Sequence, residues 1–80
     1  MTNRTRDDII FTILKDLEES PMLRTRVMYK ARLSHLQLKY YRECLLSMGL
    51  MREESNGWAI TEKGKEYLNA CMVANTILRS

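Results

Sequence analysis

The sequence predicts a small, mostly helical α+β domain in which three helices are followed by a short β-hairpin and a closing helix. Three observations predict it. Apolar residues recur at helical spacing over Ile9 to Leu17 and again over Leu38 to Met48. Ser20-Pro21 interrupts the pattern between them, and Asn56-Gly57 joins two short β-prone segments.

Each element has its own local cause. Ile9, Ile10, Ile13, Leu14 and Leu17 form the stripe of helix one, about Thr5 to Glu19, with Thr5 as N-cap and Asp7 and Asp8 set against the positive end of the helix dipole. Proline cannot continue the hydrogen-bond ladder, and it pushes Ser20 out of the helical region. Helix two, roughly Arg24 to Ala31, is expected to bury Val27, Met28 and Ala31. Ser34 is a good N-cap for helix three, about His35 to Met48, whose inner face is Leu38, Tyr41, Leu45 and Met48, and Gly49 supplies a left-handed C-terminal position. LMREE and WAIT are the two strands. Thr61 caps the last helix, with Glu62 in its first turn. The expected core is completed by Leu33, Leu50, Trp58, Ile60 and Leu68. Residues 1–80 are expected to be one domain, with 62–80 a C-terminal helix available for dimerisation.

Bulk properties narrow the function classes. A chain of 80 residues buries only about 60% of its unfolded surface, so its apolar residues are needed for the core and little remains for an enclosed active site. No nucleophile, base and orienter stand at a recognisable spacing, and three glycines do not make a phosphate loop. No enzyme, cofactor or small-molecule substrate is expected. Cys44, Cys71 and His35 match no common zinc spacing, and the cysteines fit apolar helix faces as buried thiols of a reducing compartment. The longest apolar run is four residues and the polar start MTNRTRDD lacks a signal-peptide core, so a cytoplasmic location away from membranes is expected.

Charge is distributed less evenly than its total of +3 suggests. Arg24, Arg26, Lys30, Arg32, Lys39 and Arg42 place six cations between positions 24 and 42 with no intervening acid. Two helices across a tight turn and then a hairpin is the order of a winged helix-turn-helix, in which the helix after the turn enters the DNA major groove. That order places the acid-free window against a nucleic-acid backbone. His35, Gln37, Lys39 and Tyr40, on the first two turns of helix three, are the expected base contacts; Arg24, Arg26, Lys30, Arg32 and Arg42 are the expected phosphate contacts. Leu36 fits either a thymine methyl or the core. Tyr29 and Tyr41 are expected to pack.

TRVMYKARLSHLQLKYYRECLLSMGLM, followed by a hairpin and ITEKGKEYL, resembles the small archaeal winged-helix proteins, which include chromatin-associated DNA-binding proteins and transcriptional regulators. The resemblance runs from about Ile9 to Leu68 and is carried by TRVMY, Leu33-Ser34, Tyr41, Gly49-Leu50 and the TEKG of Thr61 to Gly64. It implies double-stranded DNA binding by a homodimer joined through the last helix. Arg32 stands where the family often has asparagine. The wing tip Ser55-Asn56-Gly57 has no cation and follows Glu53 and Glu54. The last helix ends at Ser80 instead of extending into a long coiled coil, so the dimer seam is expected to be short.

The last helix is apolar on more than one side. Val73, Ala74, Ile77 and Leu78 are the expected dimer interface, since a symmetric contact buries the same patch on both copies. The sequence thus predicts a DNA-binding transcriptional regulator. A nucleoid architectural protein of weak sequence preference is the alternative within DNA binding, and a protein-interaction winged helix without DNA binding is the alternative outside it.

Overall fold

A computed structural model describes the backbone of residues 5–79 and the side chains of residues 5–73. Helix α1 spans Arg6–Leu17, α2 Arg24–Ala31 and α3 His35–Ser47; strands β1, Met51–Glu54, and β2, Gly57–Ile60, form an antiparallel hairpin; α4 spans Glu62–Arg79. The chain has the winged helix-turn-helix order that the sequence predicts.

The helix starts are set by side chains close in sequence. Thr5 Oγ1 accepts the Asp8 N–H at 3.1 Å while Asp8 Oδ2 accepts the Thr5 N–H at 3.1 Å, a reciprocal capping box that satisfies two donors otherwise lacking partners. Ser34 and Gln37 repeat the arrangement at the start of α3. At α4 the Thr61 hydroxyl accepts the Gly64 N–H at 3.0 Å and donates to the Gly49 carbonyl at 2.6 Å. One side chain therefore both caps α4 and ties it to the end of α3.

The ends of α2 and α3 share one geometry. After α2, Arg32 N–H reaches Tyr29 O at 3.2 Å and Leu33 N–H reaches Met28 O at 2.9 Å; after α3, Gly49 N–H reaches Leu46 O at 3.1 Å and Leu50 N–H reaches Leu45 O at 2.9 Å. Both are Schellman closures around a left-handed residue. Gly49 adopts it freely at φ 71°, whereas Arg32 adopts it at φ 56° and ψ 53° against the Cβ penalty. The asparagine that the resembling family often has here tolerates the same region, so the tight turn between α2 and α3 is kept.

The core gathers Ile10, Ile13, Leu14 and Leu17 of α1, Val27 of α2, Leu38, Tyr41 and Leu45 of α3, Leu50, Trp58 and Ile60 of the hairpin and Leu68 of α4. Met22, Ala31, Met51 and Ala59 are also buried, while Met28 and Met48 are only half-buried at its margin. Tyr41 packs, but Tyr29 is 78% exposed, contrary to expectation. Val27 and Ala31 define the inner stripe of α2, and Tyr29, about 200° around the helix from Val27, is carried to the opposite side.

The hairpin differs from the sequence reading by one residue. Glu54 pairs with Gly57, so Ser55 and Asn56 form the loop and Gly57 belongs to β2. Neither loop residue has a positive φ, and Gly57 alone carries one, at 120°. Its reason lies outside the hairpin: Met22, just after Pro21, bridges to Trp58 on the free edge of β2. A Cβ at Gly57 would meet the Met22 carbonyl and come within 2.7 Å of Leu23 N. Immediately after Gly57, Trp58, Ala59 and Ile60 are all buried, and β2 is flanked by β1 on one edge and Met22 on the other.

Candidate nucleic-acid interface

Five of the six cations of the acid-free window divide between two clefts, and Arg32 lines neither. One cleft, of about 430 Å³, lies between the start of α2, the outer side of α3 and β1, and is lined by Arg24, His35, Leu38, Lys39, Arg42 and Glu53. The other, also about 430 Å³, lies between the end of α1 and α2; Arg26 and Lys30 line it together with Lys15, Asp16, Glu18 and Glu19. Arg24 and Arg26 share a helix but face different neighbours.

The first cleft is positive for local reasons. The first turn of α2 contains no acid, and its N-cap Leu23 offers no side-chain acceptor, so its amide groups and Arg24 form an uncompensated positive end. His35, Lys39 and Arg42 lie on one side of α3, at spacings of four and three. Glu53 is the one acid among the described residues that line this cleft. It receives Arg42 Nε at 2.9 Å and Nη2 at 2.6 Å, while Arg42 Nη1 reaches Glu43 Oε1 at 3.1 Å. The Arg42 hydrogen bonds hold the Glu53 carboxyl below its ordinary range, with further help from Trp58 and the charge of Arg24.

The expected base-reading residues occupy the outer side of α3 in unequal states. Gln37 spends its Oε1 on the Ser34 N–H at 2.9 Å, leaving its amide NH₂ as the group available to a partner. His35 and Lys39 are exposed. Tyr40 is half-exposed, its ring in a T-shaped contact with that of Tyr41, centroids 5.0 Å apart, and a hydrogen bond with the Cys44 thiol raises its phenol above the ordinary value. Leu36 is 81% exposed, which removes it from the core and adds an apolar group to this surface.

The expected phosphate contacts are likewise unequal. Lys30 pairs with Asp16 of α1 at 3.9 Å. Arg32 is exposed at the left-handed turn and Arg42 is clasped by two carboxylates. Sequence reasoning did not identify Glu53 as the partner of Arg42. Eleven residues and a helix end separate them, and a lone glutamate in a strand carries no local signal of its partner.

Of the expected dimer residues, Val73 is 58% exposed beside the partly exposed Met72; the side chains of Ala74, Ile77 and Leu78 lie outside the described residues. Both cysteines are free thiols and half-buried. Among the described residues no group of three His, Cys, Asp or Glu side chains is placed to hold a metal ion, and no helix is long and apolar enough to cross a membrane.

Comparison with known proteins agrees with this architecture. A family model described as a winged helix-turn-helix matches residues 3–78. The chain is also 29% identical over 77 residues to an uncharacterized protein of Methanocaldococcus jannaschii, an alignment that covers 96% of this chain and 79% of that protein.

Proposed function

The chain belongs to the winged helix-turn-helix family, a class of DNA-binding domains, and on that premise we propose that it is a transcriptional regulator that reads the major groove of double-stranded DNA with α3. The observation that carries this reading is the convergence of Arg24, His35 and Lys39 on one open cleft beside the first two turns of α3. Those turns are the part of a recognition helix that reaches base edges.

In this reading the Gln37 amide, His35, Lys39 and Tyr40 meet bases, and the exposed Leu36 adds a surface for a thymine methyl. Arg24 takes the phosphate nearest the cleft. Arg26, Lys30 and Arg32 flank it, and Arg42 reaches phosphate only by leaving its carboxylate partners. The whole chain, residues 1–80, acts as one cytoplasmic, nucleoid-associated domain without a catalytic role. A second copy docks through Val73, Ala74, Ile77 and Leu78 of α4, which would set two recognition helices for half-sites about 34 Å apart. The exposed Val73 supports that contact.

Fluorescence-anisotropy titration of a random duplex and of one selected from a pool, each at two salt concentrations, tests the proposal. A strong preference for the selected duplex is the expected result. Equal, salt-sensitive binding would assign an architectural role instead. Binding to neither would favour a protein-interaction module, the reading to which the cation-free wing tip lends support. Sedimentation of the protein and of Val73→Lys tests the dimer: the first is expected as a dimer and the second as a monomer.

A further inference from the structure

We propose that Glu53 is an internal stand-in for a DNA phosphate, occupying the guanidinium fork of Arg42 and lowering affinity for every duplex, so that base contacts of α3 decide which sequence is held. The inference rests on the DNA-binding reading above and specifies how its binding face is tuned.

The geometry is that of an arginine recognising an oxyanion. Nε and Nη2 of Arg42 point to the two oxygens of one carboxylate at 2.9 Å and 2.6 Å, the same two-point fork that arginine presents to a phosphate. Carboxylate and phosphate compete for such a fork on equal geometric terms. The pair lies open at the surface, with side-chain exposures of 34% and 39%, so an incoming phosphate has access to it. Glu43 takes only the remaining Nη1 at 3.1 Å, outside the two-point fork, while Arg24 and Lys39 line the same cleft and Glu53 is the one acid among the described lining residues.

A structural brace between α3 and the wing is the competing explanation. Exposed ion pairs contribute little to stability, and the hairpin is already fastened by its pairing with Met22 and by the Thr61 hydroxyl bound to the Gly49 carbonyl. The two explanations predict opposite signs. A brace makes its removal weaken DNA binding, since the wing loosens. A stand-in makes its removal strengthen binding, since the Nε and Nη2 fork of Arg42 is freed, with Glu43 holding only Nη1, and the cleft loses a repelling charge.

The experiment compares the full chain with Glu53→Gln, Arg42→Gln and the double variant, using anisotropy with the random and the selected duplex over a salt series. Glu53→Gln is expected to bind the random duplex roughly five-fold more tightly, with a salt dependence steeper by about one counterion, and to discriminate less between the two duplexes. In the Arg42→Gln background the same change is expected to give no steepening and most of the gain is lost. If the protein binds DNA but Glu53→Gln binds no more tightly, or gains as much without Arg42, the stand-in is overturned and the DNA-binding reading survives. If neither the protein nor Glu53→Gln binds any duplex while both show the same helical melting transition, the DNA-binding reading itself has failed and the stand-in falls with it.

Discussion

Met22 and Trp58 exchange both of their backbone hydrogen bonds, Met22 N–H to Trp58 O at 3.0 Å and Trp58 N–H to Met22 O at 2.8 Å. The segment between α1 and α2 thereby becomes a third rung on the sheet, and the hairpin is held to the helices by backbone as well as by the buried Trp58 side chain. Close approach at Gly57 is the condition for this pairing. Gly57→Ala is therefore expected to destabilise the fold by roughly 1–3 kcal/mol in urea unfolding, through a strained positive φ and the collision with Met22. Asn56→Ala, one residue away in the exposed loop, is expected to stay within about 0.5 kcal/mol.

Gly64 reverses the usual helix preference. Alanine in an exposed helix interior is favoured over glycine by about 1 kcal/mol, but here a Cβ would meet the Leu50 carbonyl and come within 2.7 Å of the Ile60 side chain. Gly64→Ala is expected to lower the thermal midpoint instead of raising it. The TEKG start of α4 is thus a packing motif as well as a cap, its threonine bound to Gly49 and its glycine pressed on Leu50.

Arg32 holds the left-handed position that closes α2. Replacing it by glycine removes the Cβ penalty, and Arg32→Gly is expected to raise stability by up to about 1 kcal/mol in the same unfolding assay. The same change is expected to weaken binding to all duplexes alike and to reduce the salt slope by about one, because a phosphate contact carries no sequence information. A gain in stability together with a loss of affinity would separate the two roles of this residue.

Gln37 caps α3, and in the proposed reading the same side chain also meets a base. Its Oε1 caps α3 and its NH₂ faces outward, so Gln37→Ala removes both at once. Gln37→Glu keeps the acceptor for the Ser34 N–H and replaces the outward donor with an acceptor. It is expected to melt within a few degrees of the parent and to shift preference at one position from adenine toward cytosine in a duplex selection.

The Arg42–Glu53 pair also predicts a pH dependence. The folded Glu53 carboxyl lies below its unfolded value, so the stability it contributes is fully present above the unfolded carboxylate range and is lost as pH falls through the lowered folded value. The difference in thermal midpoint between the protein and Glu53→Gln is expected to be small, as befits an exposed pair, constant from neutral pH down to the ordinary carboxylate range, and absent in stronger acid.

Most of the helical framework was legible because its causes are local. Thr5, Ser34 and Thr61 cap the helices the sequence assigns to them, and α2 has the expected bounds Arg24–Ala31. Helix α1 ends at Leu17, short of the expected Glu19, and α3 at Ser47, one residue short of Met48, because the apolar stripe marks the buried face and not the last hydrogen bond.

The hairpin register was not legible. Asn56-Gly57 is a strong turn signal when the turn is governed by its own residues, but here Gly57 answers to Met22, some 35 positions earlier in the chain. The exposure of Tyr29 follows from a helix phase fixed by Val27 and Ala31, both small enough to approach α1. The candidate interface was legible as a charge run and not as a surface. Arg26 and Lys30 turn toward the acids of α1 while Arg24 turns toward α3, a division that depends on which face each helix buries.

What the sequence by itself determined was the element order, the side-chain caps of α1, α3 and α4, the left-handed closure at Gly49 and the acid-free stretch, all of which depend on side chains within a few positions of one another. Tertiary structure decided which cations share a cleft, which carboxylate occupies Arg42, and which glycines admit no side chain. Those outcomes depend on groups brought together from distant positions by the burial of Trp58, Leu50 and the α1 stripe, and proximity created by packing leaves no mark in the local pattern of either partner.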